Sequence, residues 1–123
     1  MHEASIAMAA IEQAVEAARQ HGATRITRVE LRVGALRQVV PEAMKLAFEA
    51  CAIGTPAEGA KLDLQEESVV ARCRPCGRQF EPDLQAISFA CPQCGRADAE
   101  LLAGNEIILT SVECEQDEEA AHS

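Results

Sequence analysis

Six cysteines fall into two groups of different character. Cys73 and Cys76 form one Cys-x-x-Cys pair and Cys91 and Cys94 form another, with 14 residues between the pairs. Each pair runs into a glycine, as CRPCG and CPQCG. Two intervening residues let both sulfurs reach one ion from a tight turn. Gly77 or Gly95 can then take the positive φ that carries the chain away. Four thiolates suit a borderline-soft d¹⁰ ion such as Zn(II), held in a closed tetrahedron with bonds of about 2.3 Å. A closed shell leaves no position for water, so the pattern predicts a structural zinc and no hydrolysis there. Two rivals use similar knuckles. A rubredoxin-like iron carrier would want a snug aromatic shell, and this chain has three phenylalanines and no tyrosine or tryptophan. A nucleic-acid-binding ribbon would want basic excess. Here Arg72, Arg74, Arg78 and Arg96 are matched by Glu81, Asp83, Asp98 and Glu100, and a zinc tetrathiolate adds two negative charges. Cys51 and Cys114 stand outside the pattern and read as small hydrophobes or incidental thiols.

A second constellation lies at Met1-His2-Glu3. The Met1 α-amine, the His2 backbone nitrogen once deprotonated, and the His2 imidazole close a five-membered and a six-membered chelate ring. Three nitrogens in one plane suit a square-planar ion such as Ni(II) or Cu(II). Glu3 can add an oxygen. The bland alternative is a frayed terminus in which Glu3 complements the positive end of a helix.

Those residues need elements to carry them. Met8, Ile11, Val15 and Ala18 recur at spacings of three and four, which predicts a helix from about Ser5 to His21 ended at Gly22. Val29, Leu31 and Val33 alternate with Arg28, Glu30 and Arg32, as in a strand with one buried face, up to Gly34. Val40, Met44, Ala47, Phe48 and Cys51 share one face of a second helix, with Pro41 and Glu42 in its first turn. Leu62 and Leu64 mark a second strand before Glu66, and residues 106 to 113 a third. The expected fold is α+β: a small three-stranded sheet packed by two helices, with an inserted zinc-ribbon-like four-cysteine domain. Residues 1–68 and 104–115 form the α/β domain, 69–103 the zinc domain, and 116–123 a disordered acidic tail. The insert has few large apolar residues and needs a staple, which the cysteines supply.

The totals narrow the function. The chain has 123 residues and a formal net charge of −9, which disfavours a phosphate-binding surface and nucleic acid as a partner. No apolar run is long enough to cross a membrane. The start lacks a basic region followed by an apolar core, so no secretory signal is read and a cytoplasmic address is expected. In that compartment, cysteines are thiols or ligands rather than disulfides.

Several motifs, in order and spacing, resemble the HypA/HybF family. They are MHE at the start, a helix ending in HGA, a strand ending in VG, then AEGAKLDL, both knuckles, and GNEI before the last strand. The likeness covers nearly the whole chain, to about residue 116. It implies a nickel metallochaperone for hydrogenase maturation, in some members also for urease, and not an enzyme. It implies Ni(II) held by His2 and Glu3 with the Met1 amine or nearby backbone nitrogens assisting, and a structural Zn(II) on Cys73, Cys76, Cys91 and Cys94. The partners implied are a nickel-insertion GTPase of HypB type and the hydrogenase large subunit, with a homodimer left open. Some members add an acidic ligand from the loop after VG. Here that loop ends in Val39 and Val40, and Glu42 is the nearest acid, with an ordinary alternative role at a helix start.

Overall fold

The protein is described from a computed structural model, covering residues 2–86 and 88–116, with the His2 side chain excepted. Two compact units divide it. One comprises the chain up to Arg32, Val39–Gln65, and the chain from Ile108; the other comprises Val33–Gln38 and Glu66–Ile107.

The first unit begins with α1 (His2–Gln20), three residues earlier than the apolar spacing predicts. Alanine favours helix at every step, and Glu3 in the first turn complements the positive end, so the helix propagates back to His2. Its buried stripe also differs from the expected one. Ala7, Ala10, Ile11, Ala14 and Ala18 are buried, Val15 is half-buried, and Met8 is 56% exposed. A mostly alanine stripe lets the axis of α2 (Pro41–Ala52) approach closely, and α1 packs on it. From α2, Met44, Phe48 and Ala52 enter the core. Val40 does not: it is the N-cap residue, in extended conformation and 51% exposed, while Cys51 is half-buried.

Beneath the helices lies a sheet in the order β2-β1-β6, from β1 (Arg25–Gly34), β2 (Lys61–Glu67) and β6 (Ile107–Glu115). Ile26, Val29 and Leu31 of β1 are almost fully buried. On its other face Arg28 pairs with Asp63 of β2 and with Glu113 of β6, the latter at 3.2 Å. Glu30 accepts from Gln65 at 3.1 Å and from Thr110 at 2.8 Å. The pairs 28–63 and 30–65 advance together, as the helical crossover from β1 through α2 to β2 requires of parallel strands. Beside these, β6 runs on to Glu115, where Glu115 O accepts from Thr24 N–H at 3.0 Å. Cys114 is exposed rather than buried. Gln116 Nε2 lies 3.4 Å from the His21 carbonyl oxygen. The remainder of the expected tail lies outside the described residues.

The second unit is a three-stranded antiparallel sheet, β4-β3-β5, from β3 (Val70–Cys73), β4 (Gln79–Phe80) and β5 (Ala99–Ala103). A 3₁₀ turn, Ala35–Arg37, joins it. Gly34 N–H donates to Glu106 O at 2.8 Å, and Leu36 N–H to Gly104 O at 3.0 Å. A Cβ on Gly34 would stand 2.1 Å from the Gly104 oxygen, so this crossing tolerates no side chain.

Candidate metal centre

Cys73 closes β3, and the chain then turns through Pro75 and Cys76 to Gly77. Gly77 N–H donates to Cys73 O at 2.7 Å, and Cys73 N–H donates to Arg78 O at 2.9 Å. The second knuckle repeats the arrangement: Gly95 N–H to Cys91 O at 2.8 Å, Cys91 N–H to Arg96 O at 2.8 Å. Gly77 and Gly95 both sit at φ +77°, where a side chain is disfavoured. The local chemistry of the two turns is therefore the same, although only the first belongs to a strand.

The sulfurs converge. All four lie within 4.8 Å of one another. Cys73 Sγ is 3.5 Å from Cys94 Sγ, and Cys76 Sγ is 3.6 Å from Cys91 Sγ, each contact crossing between knuckles. A tetrahedron with metal–sulfur bonds of about 2.3 Å has edges of about 3.8 Å. A disulfide would need about 2.05 Å. The donor set and spacing therefore fit a tetrathiolate ion and not a pair of disulfides. Cys73 and Cys91 are buried, Cys76 and Cys94 exposed.

The two buried thiols are biased in opposite directions. Cys91 is lowered to about 6, by the Cys94 backbone N–H first, against burial, with help from the Gln93 N–H and from Cys76 and Cys94. The Cys76 backbone N–H also acts to lower Cys73, but burial and hydrogen bonds with Cys94, Cys76 and Cys91 outweigh it and push the thiol up to about 12. Without an ion, one buried sulfur thus favours thiolate and the other thiol. A divalent cation removes that conflict by binding all four as thiolates.

The N-terminal constellation is placed in part. Met1 lies outside the described residues. His2 opens α1, and Glu3 sits in its first turn. Glu3 Oε2 lies 3.4 Å from the Val40 backbone N–H. Glu42 is exposed in the first turn of α2. This contact uses the Val40 main-chain N–H, which side-chain pattern does not reveal.

An α+β protein with a tetrathiolate metal site and a helix beginning at His2 is the class that fold and site define. The comparisons with known proteins specify the family. Residues 1–114 match the family model described as hydrogenase/urease nickel incorporation, metallochaperone, hypA. A "Hydrogenase maturation factor HypA" of Streptomyces avermitilis is 41% identical over 116 residues, covering 94% of this chain and 88% of that protein. One of Deinococcus radiodurans is 43% identical over 109 residues, covering 89% of each chain. The solution structure of the Ni metallochaperone HypA from Helicobacter pylori superposes with a TM-score of 0.68 at 26% identity, covering 95% of this chain and all of that one. A second HypA solution structure gives 0.71 at 27% identity, covering 95% and 98%. The chain belongs to the HypA family of nickel metallochaperones that serve hydrogenase maturation. Neither the iron-carrier nor the nucleic-acid reading is favoured by these findings.

Proposed function

We propose that the chain carries Ni(II) on Met1, His2 and Glu3 and surrenders it to a hydrogenase large subunit, assisted by a GTPase of HypB type, in the cytoplasm. Zn(II) on Cys73, Cys76, Cys91 and Cys94 is the resident ion of this reading, and its task is to hold the second unit folded. The observation that carries the proposal is the family match, which extends through residue 1 and so includes the MHE start.

The start of α1 supports the chemistry. The first four N–H groups of a helix have no intrahelical partner. The His2 amide can therefore lose its proton to a metal without breaking a helical hydrogen bond. The positive end of the helix opposes a cation there, and the Glu3 carboxylate offsets it. Opposed terms of this kind suit a carrier, which must hold an ion and also release it. Protons compete as well: an ordinary α-amine titrates near about 7.7–8.0 and histidine near about 6.5, so nickel affinity falls on acidification. Ligand type does not exclude Cu(II), which binds such donors more tightly. Selection for nickel then rests on metal supply and partner contacts.

The test is calorimetry with untagged protein whose N-terminus is verified by mass spectrometry. Wild type should bind one Ni(II) beyond its zinc, and His2→Ala should lose that binding with zinc content unchanged. Unchanged nickel binding in His2→Ala would end the proposal. Residues added before Met1 should abolish the planar Ni(II) absorption band if the amine is a ligand.

A further inference from the structure

The two knuckles are alike in turn chemistry and unlike in support. The first is continuous with the sheet: Cys73 ends β3 and pairs with Ala99, and β4 follows at Gln79. The second, Cys91 to Gly95, lies in no strand. Two arginines that flank Cys76 reach across to it. Arg78 Nη1 donates to Gln93 Oε1, inside the second knuckle, at 3.2 Å. Arg74 Nη1 donates to Asp98 Oδ1, just beyond that knuckle, at 2.8 Å, and to Ala99 O at 3.2 Å. The Arg74 backbone N–H adds a bond to Asp98 O at 2.9 Å. Arg96, which occupies the place in the second knuckle that Arg78 holds in the first, has no such return contact available, because Pro75 stands opposite Gln93 in the repeat and offers no side-chain acceptor.

We propose that Arg74 and Arg78 are positioning residues that clasp the second knuckle against the first and so set how fast the bound ion escapes. This inference rests on the zinc reading above. Loss of a tetrathiolate ion proceeds by stepwise displacement of its thiolates, and it advances fastest where a knuckle can move away from the ion. Cys73 is tied into β3, whereas no residue of the Cys91–Cys94 knuckle lies in a strand, so the second knuckle is the one freer to leave. The clasp holds two points of that knuckle's chain, at Gln93 and at Asp98, and each opening must break both. Arg72 provides an internal control. It donates through Nε to Glu100 at 2.9 Å, an exposed pair between β3 and β5 that does not involve the second knuckle.

The experiment follows zinc transfer from the full-length chain to excess 4-(2-pyridylazo)resorcinol by absorbance, after zinc content has been measured. Arg78→Ala, Gln93→Ala and Arg74→Ala should each speed release roughly two- to fivefold, the scale of one exposed pair. The double variant Arg74→Ala/Arg78→Ala should exceed either single. Arg78→Lys, which keeps a donor, should recover part of the loss, and Arg72→Ala should release at the wild-type rate. Equal rates in all variants overturn the clasp while leaving the zinc reading intact. Acceleration by Arg72→Ala as large as the others also overturns it, since that would be general loosening. Wild-type protein that retains no zinc overturns both readings.

Discussion

The two units bury different materials. In the first, the large side chains that are almost fully enclosed are Phe48, Ile26, Leu31, Met44 and Val29, all hydrocarbon or thioether. In the second, among the described residues, those so enclosed are Cys73 and Cys91. Ala71 and Phe80 complete that small cluster, with Ala99 packed against it. Fully burying one large apolar side chain contributes about 1.5–3 kcal/mol. Five of them can hold a unit of the first kind. Val33, Val69, Ala71 and Phe80, with Ala99 partly buried, are too few and too small to hold the other unaided. In the second unit the core residues and the metal ligands are partly the same atoms, so its fold and its ion stand or fall together.

That difference is most severely tested by taking the metal away. With zinc stripped by a strong chelator at neutral pH, backbone amides of β3 and β5 should exchange freely, while those of β1 and α2 stay protected. Persistent protection of β3 in protein verified as zinc-free would show that the small apolar cluster suffices, and the contrast would fail. Acid should reach the same end more gradually. The Cys91 thiol is already depressed to about 6 in the folded cage, against an ordinary value of 9.0. Its contribution is fully present above the unfolded value and is lost as pH falls through the folded one. Bound metal can only lower it further. Zinc affinity should therefore fall as pH is lowered, because protons compete for the cage thiolates; an affinity that does not change with pH would mean that proton competition does not govern the site.

The reverse test deletes hydrocarbon. Phe48→Ala removes the largest fully buried side chain of the first unit. Such truncations cost about 3–5 kcal/mol. The first unit should melt at markedly lower temperature, and zinc content should stay at one ion per chain. Loss of zinc in step with the melting of α2 would join the two units into one cooperative block.

What could be read from sequence follows the same division. The four-cysteine knuckles are legible because their geometry is local: two residues between sulfurs and a glycine after them. The central strand was legible from Val29, Leu31 and Val33, whose alternation marks one buried face. The apolar spacing of α1 points to Met8, which is exposed, since hydrophobicity ranks methionine above alanine. Close packing of α1 on α2 instead selects the small side chains at Ala7, Ala10, Ala14 and Ala18. Val40 differs for a related reason: it continues the apolar spacing of α2, but Pro41 begins the helix after it. The strands of the second unit have only two to five residues each, too short for periodicity to register. The VG and GNEI motifs were visible, but that Gly34 meets Gly104 is a tertiary fact with no local signature.

Two glycines, Gly34 at that crossing and Gly95 in the second knuckle, allow the smallest effects to be separated by cause. Gly34 sits at φ −67°, which alanine adopts freely, so its requirement is for space alone. Gly95 sits at φ +77° with nothing within 4 Å of a built Cβ, so its requirement is for backbone conformation alone. Gly34→Ala forces the 34–104 crossing apart, an overpacking worth about 1–3 kcal/mol. Gly95→Ala incurs the left-handed penalty of about 1–2 kcal/mol, partly offset by about 0.4–1 kcal/mol from the stiffer unfolded chain. Gly95→Asn should cost less still, since asparagine visits that region more readily. On the zinc reading, both losses are borne by the loaded, folded unit and not by the metal-free chain. The costs should emerge as weaker zinc affinity in competition with a calibrated chelator, with Gly34→Ala the weaker binder. Equal affinities for Gly34→Ala and wild type would mean that the crossing relaxes without disturbing β3. The strain would then stay outside the cluster of Ala71, Cys73, Phe80 and Cys91 on which the unit depends.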